Sequence, residues 1–308
     1  MNGRRSYLAG LLGQGVRPSL TPEIHEREAE RQGLRYVYTI VDLDDERSGI
    51  DHLSGLLAAA AELGFDGLNV THPIKQAMVG LVDRVAPEVE AIGALNTVLI
   101  DRGTTTGHNT DVSGFSRAFA EGLPGAPLDE VVLLGAGGAG TAVAHALVER
   151  GVRRLVVIDP DAGRAAELCR GVERVSRRVD VVAGSPDRLE SAVEAADGLV
   201  NATPVGMAAH GGTPLPVELL RPGLWVADIV YRPLLTELLR AARDHGCRTL
   251  NGAGMAVHQA ADAFELITGL SADRDAMFRD VDQMVADEVS PTPTTTAPTT
   301  HDPEGRNH

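Results

Sequence analysis

Cysteine, long apolar runs and positive charge are all scarce in this sequence of 308 residues. Its two cysteines, Cys169 and Cys247, provide neither a disulfide framework nor the spacing of a metal site, and they favour a reducing, cytoplasmic environment. No stretch is long enough to span a bilayer, so a membrane role is not expected. The formal net charge of −15 argues against a nucleic-acid surface, and an anionic substrate would need locally concentrated positive groups.

The N-terminus superficially resembles a secretion signal, and the C-terminus differs in composition from the rest of the sequence. Arg4 and Arg5 precede an apolar run in the manner of a secretion signal, but the run Tyr7 to Leu12 is short and contains Gly10. We therefore expect a buried strand there rather than export. From Ser290 the sequence is rich in Thr and Pro without apolar periodicity, which predicts a disordered tail.

The most informative stretch is a strand, a glycine turn, a helix and a second strand in succession. Val131 to Leu134 has strand character, Thr141 to Arg150 has helical spacing, and Leu155 to Ile158 is a second apolar run ending in Asp159. Between the first strand and the helix, glycines recur in G-x-G-x-x-G spacing at Gly135, Gly137 and Gly140.

Each of these glycines has a physical role in binding a dinucleotide. Gly135 permits a tight turn, Gly137 lets the backbone approach a pyrophosphate, and Gly140 lets the helix pack closely on the strand. The N–H groups at the helix N-terminus then face the phosphates. Asp159 follows Gly140 by 19 residues, close to the ~20 expected for the acid that binds the ribose.

The wider pattern predicts an α/β protein of two domains. From residue 131 strands and helices alternate, which indicates a Rossmann-type, doubly wound parallel sheet with strands at 131–134, 155–158, about 179–183, 198–201 and 225–230. Helical segments at about 256–268 and 273–288 should return to the first domain. We therefore predict an α/β substrate domain of residues 1–111 plus 255–288, a nucleotide domain of 112–254, and a tail of 289–308.

Local signals in the first domain predict further elements. Thr21 suits an N-cap with Pro22 at the first helical position, and Pro73 should open another helix. A hairpin is expected across residues 101–103, and Asp111 should cap the next helix. Taken singly, Thr21 and Asp111 can be interpreted as helix caps, and Lys75 can be interpreted as a solvent-exposed lysine on a helix.

Taken together, these segments resemble the shikimate dehydrogenase family over about residues 7–288. The matching motifs are S-x-T-P (19–22), N-V-T-H-P-x-K (69–75), G-A-L-N-T (93–97), G-H-N-T-D (107–111), G-A-G-G-A-G (135–140), N-A-T-P-V-G-M (201–207), D-I-V-Y (228–231) and G-x-x-x-H-Q-A (254–260). A G-Q-G near the start and T-D-V-S-G-F after G-H-N are similar to the NAD-dependent quinate/shikimate dehydrogenases of that family.

The resemblance implies roles for residues in both domains. Lys75 and Asp111 correspond to the catalytic pair, and Ser19 and Thr21 to the residues that hold a substrate carboxylate. The ring hydroxyls would be held by Thr71, Asn96 and Gln259, with Tyr231 nearby. The implied cofactor contacts are Gly135, Ala136, Gly137, Gly138, Ala139, Gly140, Asp159, Arg164, Thr203, Val205, Met207, Val230, Gly254 and Met255.

Elementary chemistry is consistent with the catalytic role that the resemblance implies for Lys75 and Asp111. Oxidising a secondary alcohol requires loss of a hydride to the nicotinamide and of a proton to a base. A lysine beside a carboxylate can shuttle that proton and favour a developing alkoxide, and the sequence leaves open which of the two is the base. No histidine or cysteine cluster has metal-ligand spacing, so no metal is expected, although His72, His108 and His258 lie inside motifs.

We expect an NAD-dependent enzyme that oxidises quinate or shikimate to the 3-dehydro compound. Asp159 can accept from both ribose hydroxyls, whereas a 2′-phosphate would be repelled there and by Asp161. NADP-using relatives resemble N-R-T-x-x-R at this turn; here Pro160 stands at the first arginine position and Arg164 remains. The alternatives are an aminoshikimate or aminoquinate dehydrogenase and a non-catalytic ligand-sensing protein. The oligomeric state, monomer or homo-oligomer, is left open.

Overall fold

The computed structural model describes residues 5–43, 49–207 and 210–289. Within these ranges the chain forms two six-stranded sheets, each flanked by helices. Residues 1–4 and the tail expected from Ser290 lie outside the described residues. No helix in the described ranges combines the length and apolar composition needed to cross a bilayer.

The first sheet is mixed, with the strand order β2-β1-β3-β5-β6-β4. Its three N-terminal strands are parallel to one another, and β5 runs antiparallel to both of its neighbours. Its strands are β1 (Ser6–Gly13), β2 (Arg35–Asp42), β3 (Gly67–Val70), β4 (Arg84–Val85), β5 (Thr97–Asp101) and β6 (Thr104–His108). The helices of this half are α1 (Thr21–Arg31), α2 (Ile50–Glu62), α3 (Pro87–Ile92) and α4 (Thr110–Gly122).

The expected hairpin is confirmed, because β5 and β6 pair antiparallel across a two-residue turn. Arg102 and Gly103 both have positive φ, of 50° and 80°, which is the turn geometry that matches the twist of the flanking strands. The prediction that a helix begins at Pro73 is wrong. The chain instead makes a turn in which the Ile74 N–H donates to the Thr71 carbonyl, and the Lys75 carbonyl accepts from the Leu95 N–H rather than from a helical neighbour.

The second sheet is wholly parallel, as expected, with the order β12-β11-β10-β7-β8-β9. This is the doubly wound order in which the chain starts at the centre and reverses direction between β7 and β10. Its strands are β7 (Glu130–Leu134), β8 (Arg154–Ile158), β9 (Asp180–Gly184), β10 (Gly198–Asn201), β11 (Trp225–Asp228) and β12 (Arg248–Leu250). The intervening helices are α5 (Gly138–Glu149), α6 (Ala162–Val175), α7 (Leu189–Ala195) and α8 (Glu237–Asp244).

The two last helices, α9 (Ala253–Thr268) and α10 (Arg274–Val289), return to the first half of the chain. Helix α9 lies against α4, and α10 lies against α1 and α9. Glycines permit the closest approach. A Cβ on Gly114 would be 3.0 Å from the Gln259 Cβ, and one on Gly254 would be 2.8 Å from the Ala118 Cβ. These contacts fix α9 over the start of α4.

Trp225 is the largest fully buried side chain and depends on a glycine in the neighbouring strand. Gly198 pairs with Trp225 across β10 and β11, and a Cβ on Gly198 would lie 1.9 Å from the indole Cε2. The indole N–H donates to the Pro127 carbonyl at 2.8 Å. The ring packs edge-to-face against Phe119, with the two ring centroids 4.9 Å apart. The indole is therefore held on several sides and cannot move away from a larger neighbour.

We predict that Gly198→Ala lowers the free energy of unfolding by about 1–3 kcal/mol, because the added methyl overpacks the core against Trp225. The matched control is Gly55→Ala at an exposed position of helix α2, where an added Cβ meets nothing within 4 Å. That change should raise the free energy of unfolding by about 0.5–1 kcal/mol. Urea denaturation of both variants measures the difference, and equal midpoints would contradict this account of the core.

Candidate active site

Asp111 lies at the start of α4 with its carboxylate free of the capping role expected for it. The N-cap is Asn109, whose side-chain oxygen accepts from the Asp111 N–H at 3.1 Å and whose amide donates to the Ala94 carbonyl at 2.9 Å. The prediction that Asp111 caps the helix is therefore wrong by two residues. Because Asn109 satisfies the helix terminus, the carboxylate of Asp111 is available for another partner.

That partner is Lys75. Its Nζ lies 2.5 Å from Asp111 Oδ2, and the two side chains are 14% and 8% exposed. The turn after β3 brings the lysine to this position, since its backbone carbonyl is tied to Leu95. The solvated-lysine reading does not fit so little exposure. A nearly buried ammonium and carboxylate in direct contact form a coupled pair able to exchange a proton.

Asn96 and Gln259 lie beside the pair. The Asn96 amide donates to Asp111 Oδ1 at 2.9 Å and to the Thr110 hydroxyl at 3.0 Å, and it lies 3.5 Å from the Gln259 carbonyl oxygen. The structure thus brings these four polar side chains together, although they come from the turn after β3, the residue before β5, helix α4 and helix α9. Thr71 is half-buried in the turn that carries Lys75.

Ser19 and Thr21 occupy a loop and the first turn of α1. The helix begins at Thr21 with Leu20 at the N-cap position, so Thr21 is not the N-cap that its sequence context suggested. The Ser19 hydroxyl accepts from the Thr21 N–H at 3.2 Å and donates to the Thr21 hydroxyl at 3.0 Å. Both hydroxyls are therefore held together. Arg232, from the loop after β11, donates to the Pro18 carbonyl and so joins the two halves at this loop.

The glycine turn after β7 lies beside Lys75. A Cβ on Gly138 would lie 3.3 Å from Cδ of Lys75, so a larger residue would crowd the lysine side chain. Gly135 has φ of +96°, and a Cβ on Gly140 would lie 2.0 Å from the Gly135 carbonyl oxygen. Helix α5 begins at Gly138, three residues earlier than expected, with Gly137 as its N-cap.

This turn fits a dinucleotide pyrophosphate. The first N–H groups of a helix have no partner in their own helix, and those of α5 start at Gly138 and Ala139. A Cβ on Gly137 would meet nothing within 4 Å, so there is open space in front of the turn. The residues present can therefore hold an anionic group here.

Asp159 lies at the end of β8 and is oriented by two backbone donors. Its Oδ2 accepts from the Ala136 N–H and its Oδ1 from the Asp161 N–H, both at 2.8 Å. Asp161 is the N-cap of α6 and accepts from the Gly163 and Arg164 N–H groups. The guanidinium of Arg164 lies 3.4 Å from the Asp161 carboxylate on the surface. The one cation of this turn is thus already beside an anion.

The loop after β10 depends on a carboxylate whose role the sequence alone did not reveal. Asp228, 1% exposed at the end of β11, accepts from the Asn201 amide, the Val230 N–H and the Thr236 hydroxyl at 2.7–3.0 Å. Asn201 in turn donates to the Val205 carbonyl and accepts from the Thr203 N–H and hydroxyl. Burial raises the pKa of the Asp228 carboxyl, an effect that these hydrogen bonds oppose.

The remaining predicted cofactor residues are distributed around this loop. Thr203 and Val205 are in the loop itself, and Met207 at its end is 46% exposed. Val230 is 6% exposed and Met255 is 8% exposed, and Met255 packs into the core between Phe115 and the second sheet. Gly254 contacts α4, and Tyr231 is half-buried against the α1, α9 and α10 cluster.

Two shikimate dehydrogenase models and one model from another dehydrogenase family match separate stretches of the chain. Residues 11–98 match the model of the shikimate dehydrogenase substrate binding domain, and 252–277 match that of the shikimate 5'-dehydrogenase C-terminal domain. Residues 131–208 match the saccharopine dehydrogenase NADP binding domain.

Two relatives differ in the cofactor that their names give. The chain is 55% identical to a shikimate dehydrogenase (NADP(+)) of Streptomyces avermitilis, over 91% of this chain and 96% of the relative. It is 52% identical to a quinate/shikimate dehydrogenase (NAD(+)) of Corynebacterium glutamicum, over 87% and 95%. Among solved structures, a quinate dehydrogenase of C. glutamicum in complex with NAD is 50% identical, covers 91% of this chain and 99% of its own, and has a TM-score of 0.84.

We predict that Asp228→Ala lowers the free energy of unfolding by about 2–4 kcal/mol, because it leaves the Asn201 amide, the Val230 N–H and the Thr236 hydroxyl buried without their acceptor. Asp228→Asn is the matched control. Its carbonyl oxygen can still accept and its amide can donate to Thr236, so the loss should be about 1 kcal/mol. Equal losses for the two variants in urea denaturation would show that the three donors find other acceptors.

Proposed function

Because the chain belongs to the shikimate dehydrogenase family, we propose that it is an NAD-dependent enzyme that interconverts quinate or shikimate with the 3-dehydro compound. That it is an oxidoreductase of the shikimate/quinate dehydrogenase type follows from the family. The proposal adds the cofactor, the substrate range and the work of individual residues. The observation that carries it is the contact between Lys75 and Asp111 at the glycine turn.

Lys75 and Asp111 act as the acid–base pair at the hydroxyl that is oxidised. A bound nicotinamide would accept the hydride, and the pair would take the hydroxyl proton during oxidation and return it during reduction. The ammonium also stabilises negative charge that develops on the substrate oxygen. The closeness of the Lys75 side chain to Gly138 supports this role, because the lysine lies beside the turn proposed to bind the cofactor.

The composition of the chain supports the same role. Of the 28 basic residues 27 are arginine, and Lys75 is the only lysine in the sequence. Arginine carries charge at every other basic position but does not release its proton in proteins, whereas the lysine amine can. The one lysine therefore stands where proton transfer is needed and charge alone would not suffice.

Ser19 and Thr21 would bind the substrate carboxylate, since their hydroxyls are held together at the edge of the cleft. Thr71, Asn96 and Gln259 would bind ring hydroxyls, with Tyr231 beside them. Asn96 and Gln259 lie next to Asp111, which supports placing the reacting carbon there. On the cofactor side, the turn from Gly135 to Gly140 would bind the pyrophosphate, and Thr203, Val205, Met207, Val230, Gly254 and Met255 would surround the nicotinamide.

The preference for NAD rests on charge at the turn after β8. Asp159 is fixed by the glycine turn itself, and Asp161 adds a second carboxylate close by. A 2′-phosphate at this position would meet two anions, and the guanidinium of Arg164 is beside one of them. The relatives bearing NAD and NADP names are similar in identity, so these residues carry the proposal.

Quinate is proposed as a substrate beside shikimate. It carries an additional hydroxyl on the tetrahedral carbon that bears the carboxylate, so the carboxylate pocket must differ. Shikimate-restricted relatives resemble S-x-S where this chain has Ser19-Leu20-Thr21. The Thr21 methyl restricts χ1 and so fixes the hydroxyl that Ser19 contacts. That Thr21 is not the helix N-cap favours a substrate role over a purely structural one.

The cellular setting stays a prediction. Cys169 and Cys247 are both free and buried, as suits a chain that works in the reducing cytoplasm. The small-molecule substrate is the partner that we propose. An aminoshikimate or aminoquinate remains the rival substrate, and it would require an acceptor for an ammonium in place of a ring hydroxyl.

We predict that Lys75→Ala and Asp111→Asn each lower kcat by about 10²–10⁴-fold while the protein stays folded, because each removes one member of the acid–base pair. Lys75→Arg should be similarly impaired, since it keeps the charge but cannot release the proton. Ser19→Ala is the contrasting variant and should act mainly on KM. Near-wild-type kcat in Lys75→Ala, measured by NADH formation, would end the catalytic assignment.

We predict a higher kcat/KM with NAD than with NADP, and turnover of both shikimate and quinate. Steady-state rates with each cofactor and with each acid and its amino analogue test this directly. Turnover of the amino compounds alone would favour the rival substrate. No turnover of any of them would favour a protein that only senses ligands.

Two conservative variants show which residues set these preferences. Asp161→Asn keeps the helix cap, removes a negative charge and releases Arg164, so kcat/KM with NADP should rise about two- to fivefold. The control Asp51→Asn, in the first turn of α2, should leave the cofactor ratio unchanged.

Thr21→Ser should change the ratio of kcat/KM for quinate to that for shikimate. An unchanged ratio would show that Thr21 does not set the substrate preference.

A further inference from the structure

A buried chain of hydrogen bonds runs from strand β2 to the carboxylate of Asp111. The Tyr38 hydroxyl donates to Asn69 Oδ1 at 2.7 Å, and the Asn69 amide donates to the Thr97 hydroxyl at 3.1 Å. Thr97 donates to Asn96 Oδ1 at 3.1 Å, and Asn96 donates to Asp111 Oδ1 at 2.9 Å. Each of these five side chains is at most 8% exposed, so the chain is sealed from solvent along its length.

The direction of every bond in this chain is determined. A carboxylate only accepts, so the Asn96 amide nitrogen must face Asp111. The Thr110 N–H donates to Asn96 Oδ1 at 2.8 Å, which fixes the same orientation independently. Thr97 must therefore donate to Asn96 and accept from the Asn69 amide, which leaves the Asn69 oxygen to accept from Tyr38. All four donors point toward the catalytic pair.

Such an aligned chain can do more than satisfy buried polar groups. Hydrogen bonds in series polarise one another in a medium of low dielectric constant, so the last donor is strengthened by those behind it. That last donor binds Asp111 Oδ1, while Lys75 binds Oδ2. Both oxygens of the carboxylate therefore accept a hydrogen bond. Burial raises the pKa of the Tyr38 hydroxyl well above its usual value, so the chain starts from a group that keeps its proton.

We propose that Tyr38 is a remote positioning residue, which acts through Asn69, Thr97 and Asn96 to orient the Asp111 carboxylate for proton transfer with Lys75. This inference rests on the proposed role of Asp111. Tyr38 lies on a different strand from every proposed catalytic or substrate residue, and its effect is expected on turnover rather than on substrate binding.

Tyr38→Phe removes one hydroxyl and keeps the ring. We expect kcat for shikimate oxidation to fall about three- to tenfold, with KM changed less than twofold, because the interaction lost is the size of one net hydrogen bond. The matched control is Tyr36→Phe. Tyr36 lies on the same strand, stacks on Tyr38 at 6.4 Å and has its hydroxyl 3.2 Å from His25, outside the chain of donors. Its loss should leave kcat unchanged.

A double-mutant cycle tests whether the effect passes along the chain. Thr97→Val removes the middle hydroxyl with little change of shape. If Tyr38 acts through Thr97, then Tyr38→Phe should have little further effect on kcat in the Thr97→Val background. Full additivity of the two changes would overturn the proposal. So would an unchanged kcat in Tyr38→Phe, an equal fall in Tyr36→Phe, or an effect confined to KM.

These outcomes are distinct from a failure of the proposed function. A wild-type protein that turns over no acid, or an Asp111→Asn variant with full activity, would remove the premise. An active wild type that depends on Asp111 but not on Tyr38 would remove only the positioning role. The comparison of Tyr38→Phe with Tyr36→Phe is decisive by itself should Thr97→Val fail to fold, which thermal unfolding of each variant would reveal.

Discussion

The ion pair between Lys75 and Asp111 is the constraint on which the arrangement of the cleft depends. An ammonium and a carboxylate this far from water would each cost several kcal/mol if left alone, so they must be brought together and their remaining atoms satisfied. Asn109 relieves Asp111 of capping its helix, and Asn96 binds its second oxygen. The close packing of α9 on α4 then adds Gln259. The glycine turn after β7 lies beside the lysine, and a side chain at Gly138 would compete for the lysine's space.

The two halves of the molecule solve the same physical problem with buried carboxylates. Asp111 and Asp228 each lie where a loop or helix begins, and each accepts from the amide of an asparagine at the end of a strand: Asn96 directly before β5 and Asn201 in β10. In both cases the carboxylate converts several separate backbone segments into one rigid unit. One unit holds the ion pair of Lys75 and Asp111, and the other holds the loop from Asn201 to Met207.

Periodicity and glycine spacing predicted the parallel sheet, the Rossmann order and the hairpin, because those patterns report backbone requirements that are local in sequence. They failed where another residue makes the expected contact. No helix begins at Pro73, and the Lys75 carbonyl accepts from the Leu95 N–H, 20 residues later. Asp111 does not cap because Asn109 is better placed. The role of Asp228 and the donor chain from Tyr38 carry no local signature. The family motifs predicted Lys75, Asp111, Asn96 and Gln259 as site residues, and only coordinates could show that they lie together and that Asn69 and Thr97 face one another behind them.

A single lysine makes the amine of the ion pair chemically unique. An acylating or alkylating reagent selective for side-chain amines has one target in this sequence, and that target is shielded by Asp111 and by the glycine turn. Its rate of modification would therefore report how often the ion pair becomes accessible to solvent, without any engineered label. A protease specific for lysine would likewise cut the polypeptide once, between Lys75 and Gln76, and would release two fragments that divide the ion pair between them.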